Sequence, residues 1–188
     1  MALSLPSIFE PQPLATTPLS GEIGDALRLR DGHGRALTDL RLSVTDRCNY
    51  RCVYCRTGNE GALFTELPIA VYARMLRIFV SLGIEKVRLT GGEPLLRQGL
   101  LDLIRETAAM QPAFSEAPLD IAITTNGHLL AAMAKDLKAA GLSRITVSMD
   151  AVDPETFTRI TRVPGSFEKV RDGIRAAQDA WRYVYQKN

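Results

Sequence analysis

Residues 40–55, Leu40-Arg41-Leu42-Ser43-Val44-Thr45-Asp46-Arg47-Cys48-Asn49-Tyr50-Arg51-Cys52-Val53-Tyr54-Cys55, decide how the rest of the chain is read. The first six, Leu40–Thr45, alternate apolar and polar, which is the period of a β-strand. Leu40, Leu42 and Val44 fall on one face and Arg41, Ser43 and Thr45 on the other. The last eight carry all three cysteines of the chain, Cys48, Cys52 and Cys55, in the spacing C-x3-C-x2-C. A strand running straight into such a loop sets three thiols at its carboxyl end. That is the end at which parallel α/β sheets place their chemistry.

Downstream the same rhythm repeats. Lys86–Thr90 (KVRLT), Leu119–Thr124 (LDIAIT) and Arg144–Ser148 (RITVS) read as strands, and helical patterns separate them. Pro68–Leu82 is expected as a helix with Val71, Met75, Ile78, Phe79 and Leu82 on its buried face, Pro68 at its first position and Gly83 as its stop. Gly99–Met110 carries Leu100, Leu103, Ile104 and Ala108 at helical spacing, and His128–Ala140 ends at Gly141. After the fourth strand, Asp153-Pro154-Glu155 is a helix start: a cap, a proline and an acid on the positive end of the helix. Ser166 is expected to cap a last helix bearing Phe167, Val170, Ile174 and Ala177. Alternation of this kind implies right-handed parallel βαβ units. Four units give an α/β fold, a partial (β/α) barrel that is incomplete, since a full eight-fold barrel takes about 250 residues and this chain has 188.

Residues 1–27 hold Pro6, Pro11, Pro13 and Pro18 and no Lys or Arg, and are expected as a flexible N-terminal arm. Residues 28–180 form the core, and 181–188 an atypical tail holding the only Trp and two of the five Tyr. With 46% hydrophobic and 23% charged residues the composition is that of a soluble globular domain. The longest stretch free of acidic and basic residues, Ile121–Ala134, has 14 residues, short of the roughly 18 that a membrane span needs. A formal charge of +2 gives no basic stripe for nucleic acid. The first residues lack the basic start of a secretory signal and the arginines of a transit peptide. An odd number of cysteines without an export signal points to a reducing, cytoplasmic setting in which the thiols serve as ligands.

Three thiolates can hold three irons of a [4Fe–4S] cluster and leave one iron open to chelate a small molecule. Zinc is the competing reading. A structural zinc site wants a fourth ligand, and neither His33 nor His128 stands at a usual zinc spacing. Thr90-Gly91-Gly92-Glu93-Pro94 ends the second strand with a glycine pair that lets backbone approach a ligand, or that simply turns the chain. Thr124-Thr125-Asn126-Gly127 and Ser148-Met149-Asp150 end the third and fourth strands, where they face the same cavity or act as caps and turns. Arg41 and Arg88 stand on strands in apolar surroundings and would line a lumen suited to a polyphosphate. Arg47, Arg51, Arg56 and Arg97 are read as solvated or paired.

Together, RLSVTDRCNYRCVYC at Arg41–Cys55, LTGGEPLLR at Leu89–Arg97, TTNG at Thr124–Gly127 and RITVSMDAVDPETF at Arg144–Phe157 resemble the radical S-adenosylmethionine superfamily. Within it they resemble the GTP 3′,8-cyclases of molybdenum-cofactor biosynthesis, over roughly Asp31 to Ala180. The resemblance implies a [4Fe–4S] cluster with an open iron on Cys48, Cys52 and Cys55, and S-adenosylmethionine contacted by Tyr54, Gly91, Gly92, Glu93 and Ser148. It implies GTP contacted by Arg41, Arg88 and Thr124, and an electron donor such as a flavodoxin or ferredoxin. The activity implied is cyclisation of GTP through a 5′-deoxyadenosyl radical. The chain departs from the family pattern in three places. Arg56-Thr57 stands where the family has Met-Pro, Thr146 replaces an asparagine, and no cysteine follows Cys55 for the family's second cluster. The expectation is therefore a truncated relative, incomplete for GTP cyclisation by itself. Two other readings stay open: a degenerate paralogue that binds a partner or a second copy through an exposed sheet edge, and a radical enzyme acting on another substrate.

Overall fold

The computed structural model describes residues 27–55 and 65–181. Its elements, in chain order, are β1 (Asp39–Ser43), α1 (Ile69–Ser81), β2 (Lys86–Thr90), a 3₁₀ turn (Pro94–Leu96), α2 (Leu100–Ala108), β3 (Asp120–Thr125), α3 (Leu130–Ala139), β4 (Arg144–Val147), α4 (Pro154–Thr161) and α5 (Ser166–Trp181). The four strands pair in parallel in the order β1-β2-β3-β4. This is the open α/β half-barrel expected from the sequence, with the four strands and the first three helices within two residues of their expected bounds. The expected arm lies almost wholly outside the described residues, as do Arg56 and residues 182–188. Trp181 belongs to α5, and its indole N–H donates to Ser143 O at 2.9 Å, at the foot of β4.

Alternation divides each strand between two faces. Val87 and Leu89 of β2 and Ile121 and Ile123 of β3 point toward the helices and are fully enclosed. They meet Leu76 and Val80 of α1, Leu103 and Ile104 of α2, and Leu130 and Leu137 of α3 in one continuous core. Each such side chain contributes about 1.5–3 kcal/mol on leaving water. None of the described helices is long and apolar enough to cross a membrane.

The buried face of α1 differs from the expectation. Tyr72, Ala73, Leu76 and Val80 are enclosed, Met75 and Phe79 lie at the boundary, and Val71 and Ile78 face solvent. The face is turned by about a third of a helical turn, so that Tyr72 and Ala73 join the core cluster in place of Val71 and Ile78. On α2, similarly, Thr107 rather than Ala108 is enclosed, its hydroxyl satisfied by Leu103 O. Ser166 opens α5 as expected, but its buried hydroxyl meets Thr161 Oγ1 at 3.3 Å. Asp153 caps α4 as expected, accepting from Thr156 N–H at 2.7 Å.

The other face of the sheet is polar and stratified by the parallel register. Asp39, Lys86 and Asp120 lie side by side in a bottom row, and Arg41, Arg88, Ala122 and Arg144 in the row above. Ser43 and Thr90, then Thr124 and Thr146, form hydroxyl pairs nearest the strands' carboxyl ends. The cysteine loop leaves from just above this upper tier.

Candidate functional site

Glycine at positions 91 and 92 is what lets the cysteine loop leave β1 where it does. A Cβ on Gly91 would lie 2.2 Å from Thr45 O, and one on Gly92 would lie 2.4 Å from Arg47 O. In place of side chains the two segments exchange backbone hydrogen bonds, Gly92 N–H to Thr45 O at 2.9 Å and Glu93 N–H to Arg47 O at 2.8 Å. The φ of +150° at Gly91 adds a second reason for glycine. The pair therefore prolongs the β1–β2 contact past the strand ends and aims Cys48 over the sheet.

Glu93 is completely enclosed, and three protein donors engage its carboxylate. Oε1 accepts from Leu95 N–H at 3.0 Å and Thr125 Oγ1 at 2.7 Å, and Oε2 accepts from Asn126 N–H at 2.7 Å. Burial pushes this carboxyl up from its ordinary range, and the three donors pull against that rise. The side chain ties the end of β2 to the loop after β3. Asn126, held by that tie, donates from Nδ2 to Asn49 Oδ1 at 2.7 Å and to Cys48 Sγ at 3.9 Å.

The far side of the cysteine loop rests on α4. Arg51 N–H donates to Thr161 O and Val53 N–H to Ile160 O, at 3.1 and 2.9 Å. Beneath it Tyr50, Phe157 and Val170 form a second apolar cluster against which Cys48 and Cys52 pack. Tyr50 and Phe157 meet edge to face, and the Tyr50 hydroxyl lies 3.3 Å from His128 Nδ1. Burial drives the Tyr50 phenol up to about 12, so it stays protonated. Lys169 Nζ lies 3.2 Å from His128 Nε2, and burial together with that cation lowers the imidazole pKa.

A third anchor holds the segment after the loop. Glu66 accepts from Thr45 Oγ1 at 2.5 Å, from Arg47 Nε at 3.1 Å and from Arg97 NH1 at 2.5 Å. These donors, Arg47 foremost, hold its carboxyl down to about 2. Arg47 and Arg97 are thus paired, as the sequence led one to expect. Nothing in the sequence pattern marked Glu66, whose partners lie 19 to 31 residues away.

Cys48, Cys52 and Cys55 are free thiols of intermediate exposure. Cys48 Sγ receives the Tyr50 N–H at 3.4 Å besides the Asn126 amide. Burial raises the Cys48 and Cys52 thiols, so deprotonation there has to be driven by what they bind. Among the described residues no three His, Cys, Asp or Glu side chains converge as ligands of a single metal ion do. Three free thiols on one short loop, with N–H donors aimed at one sulfur, suit a cluster in which each thiolate takes a separate iron. The donor set fits a [4Fe–4S] centre.

The other expected contacts distribute around this loop. Tyr54 is largely exposed and its hydroxyl donates to Asp150 Oδ2 at 2.7 Å, an interaction that raises its phenol pKa. Ser148 is exposed just past β4, its N–H bonded to Thr125 O. Arg41 and Arg88 are register partners on the polar face. Arg88 NH1 donates to Thr124 Oγ1 at 3.2 Å and Thr146 Oγ1 at 3.1 Å. Arg41, Arg88, Lys86 and Arg144 line a cleft of about 270 Å³ on that face. Arg144 is already paired with Asp120, so among the described residues Arg41 and Arg88 are the guanidiniums without a carboxylate partner there. The structure thus gathers the cysteines, Gly91, Gly92 and Glu93 into one interlocked group. It sets Arg41, Arg88 and Thr124 on the sheet face, and Tyr54 and Ser148 at the rim.

Comparison with known proteins gives a consistent result. Residues 42–185 match the model of the radical SAM superfamily. The chain is 46% identical over 155 residues to a GTP 3′,8-cyclase of Marinobacter nauticus, covering 81% of this chain and 45% of that protein. It is 49% identical over 146 residues to a GTP 3′,8-cyclase of Clostridium acetobutylicum, covering 77% and 44%. The chain spans less than half the length of these curated relatives. Among solved structures it resembles Streptococcus suis SuiB bound to S-adenosylmethionine, with a TM-score of 0.61 at 19% identity over 78% of this chain and 32% of that one. It resembles HydG, a maturase of the [FeFe]-hydrogenase, equally well in fold, with a TM-score of 0.61 at 14% identity over 76% and 32%.

Proposed function

Because the chain belongs to the radical SAM superfamily, we propose that it carries the cluster and S-adenosylmethionine site of a GTP 3′,8-cyclase of molybdenum-cofactor biosynthesis, working in the cytoplasm with a flavodoxin- or ferredoxin-like donor. The observation that carries this is the cysteine loop itself, three free thiols locked between the Gly91-Gly92 backbone and α4. A [4Fe–4S] cluster held by Cys48, Cys52 and Cys55 would supply the one-electron reduction that opens S-adenosylmethionine to radical chemistry on GTP.

Cys48, Cys52 and Cys55 would hold the cluster at the carboxyl ends of the strands. The Gly91–Glu93 segment, Ser148 and the backbone of Tyr54 would contact S-adenosylmethionine. Glu93 acts through position: with its carboxylate taken up by protein donors, it fixes the neighbouring backbone and Asn126. Arg41 and Arg88 supply two guanidiniums for a polyphosphate, and Thr124 orients Arg88. The lower apolar cluster of Tyr50, Phe157 and Val170 closes the loop against water from below.

The test is anaerobic reconstitution of the chain with iron and sulfide, followed by reduction in the presence of S-adenosylmethionine. The reading predicts about four irons per chain and release of 5′-deoxyadenosine. Zinc in place of iron, or no nucleoside, would refute it.

One observation favours a second reading, that of a binding module. The far edge of β4 pairs with no strand among the described residues, and such an edge can accept another chain. That reading predicts self-association or capture of a strand-forming partner without cluster uptake.

A further inference from the structure

Asn126 sits where β3 gives way to α3, and every polar atom of its amide is engaged. Its Oδ1 accepts from His128 N–H at 3.0 Å, so the amide orientation follows from the hydrogen-bond network: Nδ2 must be the end that faces the cysteine loop. There it divides its two protons between Asn49 Oδ1, at 2.7 Å, and Cys48 Sγ, at 3.9 Å. The backbone N–H of Asn126 is pinned by the enclosed Glu93 carboxylate at 2.7 Å. Thr125, the residue before it, is pinned by the same carboxylate and in turn accepts from Gly127 N–H. The amide is therefore delivered to the sulfur by a rigid chain running from the end of β2 through the loop after β3.

We propose that Asn126 is a positioning residue that sets the reduction potential of a cluster held on this loop, by donating an N–H···S hydrogen bond to Cys48. The proposal rests on the cluster reading above. Donors to a ligating sulfur withdraw electron density from it and so favour the reduced, more negative state. The other donor to this sulfur, the Tyr50 N–H at 3.4 Å, belongs to the backbone and does not depend on a side chain. Asn126 is the side chain through which the sequence can adjust the donation to Cys48, and Glu93 holds it at working distance. A cluster that has to reduce a sulfonium needs a low potential that its donor can still reach, and one removable hydrogen bond is a fitting control.

The experiment compares the reconstituted wild-type chain with Asn126→Leu, which keeps the volume and loses the donor, and Asn126→Asp, which turns an oxygen toward the sulfur. Iron content is measured first, then the midpoint potential by titration followed with electron paramagnetic resonance, without S-adenosylmethionine. Both variants are expected to hold wild-type iron and to titrate at more negative potential. For Asn126→Leu the expected shift is about tenfold in the equilibrium, or ~59 mV for one electron, and Asn126→Asp should shift further. An unchanged potential in iron-replete Asn126→Leu would overturn the proposal. So would loss of iron from both variants with the circular dichroism intact, because the amide would then serve to hold the loop. A wild-type chain that takes up no cluster would instead overturn the reading on which the proposal rests.

Discussion

Replacing Glu93 by alanine tests how the site is braced. The wild-type carboxylate is fully enclosed and accepts three hydrogen bonds, from Leu95 N, Thr125 Oγ1 and Asn126 N. Hydrogen bonds to a charged group contribute about 1.5–3 kcal/mol each, and a buried donor left unpaired costs about 1–3 kcal/mol. The Thr125 hydroxyl can rotate toward another acceptor, so the lasting loss falls on the two backbone N–H groups. Against this, Glu93→Ala removes the cost of burying the carboxylate, visible in its raised pKa. The balance is a destabilisation of about 3–5 kcal/mol, close to what breaking a buried charged network costs. For a chain of this size each kcal/mol lowers Tm by about 2–4 °C, so a fall of about 6–20 °C is expected. Thermal and urea unfolding of the cluster-free chain, followed by circular dichroism under reducing conditions, measures it. Glu93→Gln keeps one acceptor but turns an NH₂ toward a donor, and should lie between wild type and Glu93→Ala. A loss below about 1 kcal/mol in Glu93→Ala would refute the brace.

Three other outcomes are expected. Gly92→Ala puts a Cβ 2.4 Å from Arg47 O, so the loop must move; iron uptake on reconstitution should fall sharply even where the fold survives. Glu66→Gln should cost about 1 kcal/mol near neutral pH in urea unfolding, a modest figure because half-exposed Arg47 is screened by solvent. Since the folded state holds the Glu66 carboxyl below its ordinary 4.5, down to about 2, its contribution is complete above pH 4.5. It fades as pH falls toward 2, so variant and wild type should converge across that window. Arg88→Met removes the bonds to Thr124 and Thr146 and should weaken GTP binding by at least tenfold in equilibrium dialysis, with iron content unchanged.

The strands and the cysteine loop were legible because their signals are local. Leu40–Thr45 alternates within one strand, and C-x3-C-x2-C fits inside eight residues. Arg41 and Arg88 could be placed on the polar face by parity alone, and the register sets them side by side. The buried face of α1 was not legible, since Val71 and Ile78 are as apolar as the residues that pack. Which stripe meets the sheet depends on the fit of Tyr72 and Ala73 against it. The Glu66 clamp and the strap from α4 were hidden for a different reason. Both join segments distant in sequence, and pairings such as Arg51 with Thr161 leave no periodic trace. The Gly91-Gly92 pair was read as letting backbone approach a ligand or as a plain turn, and the structure adds a close approach to the Thr45–Arg47 backbone that no local pattern showed. Glu93 followed the same pattern, with a carboxylate directed inward to protein N–H groups.

The most direct test of the central claim is the electron paramagnetic resonance spectrum of the anaerobically reconstituted, reduced chain before and after adding S-adenosylmethionine. Three thiolates and a vacant iron corner predict a [4Fe–4S] signal, with about four irons per chain, that changes when the amine and carboxylate of the cofactor bind. A signal indifferent to the cofactor, or a chain that takes up zinc and no iron, would contradict it.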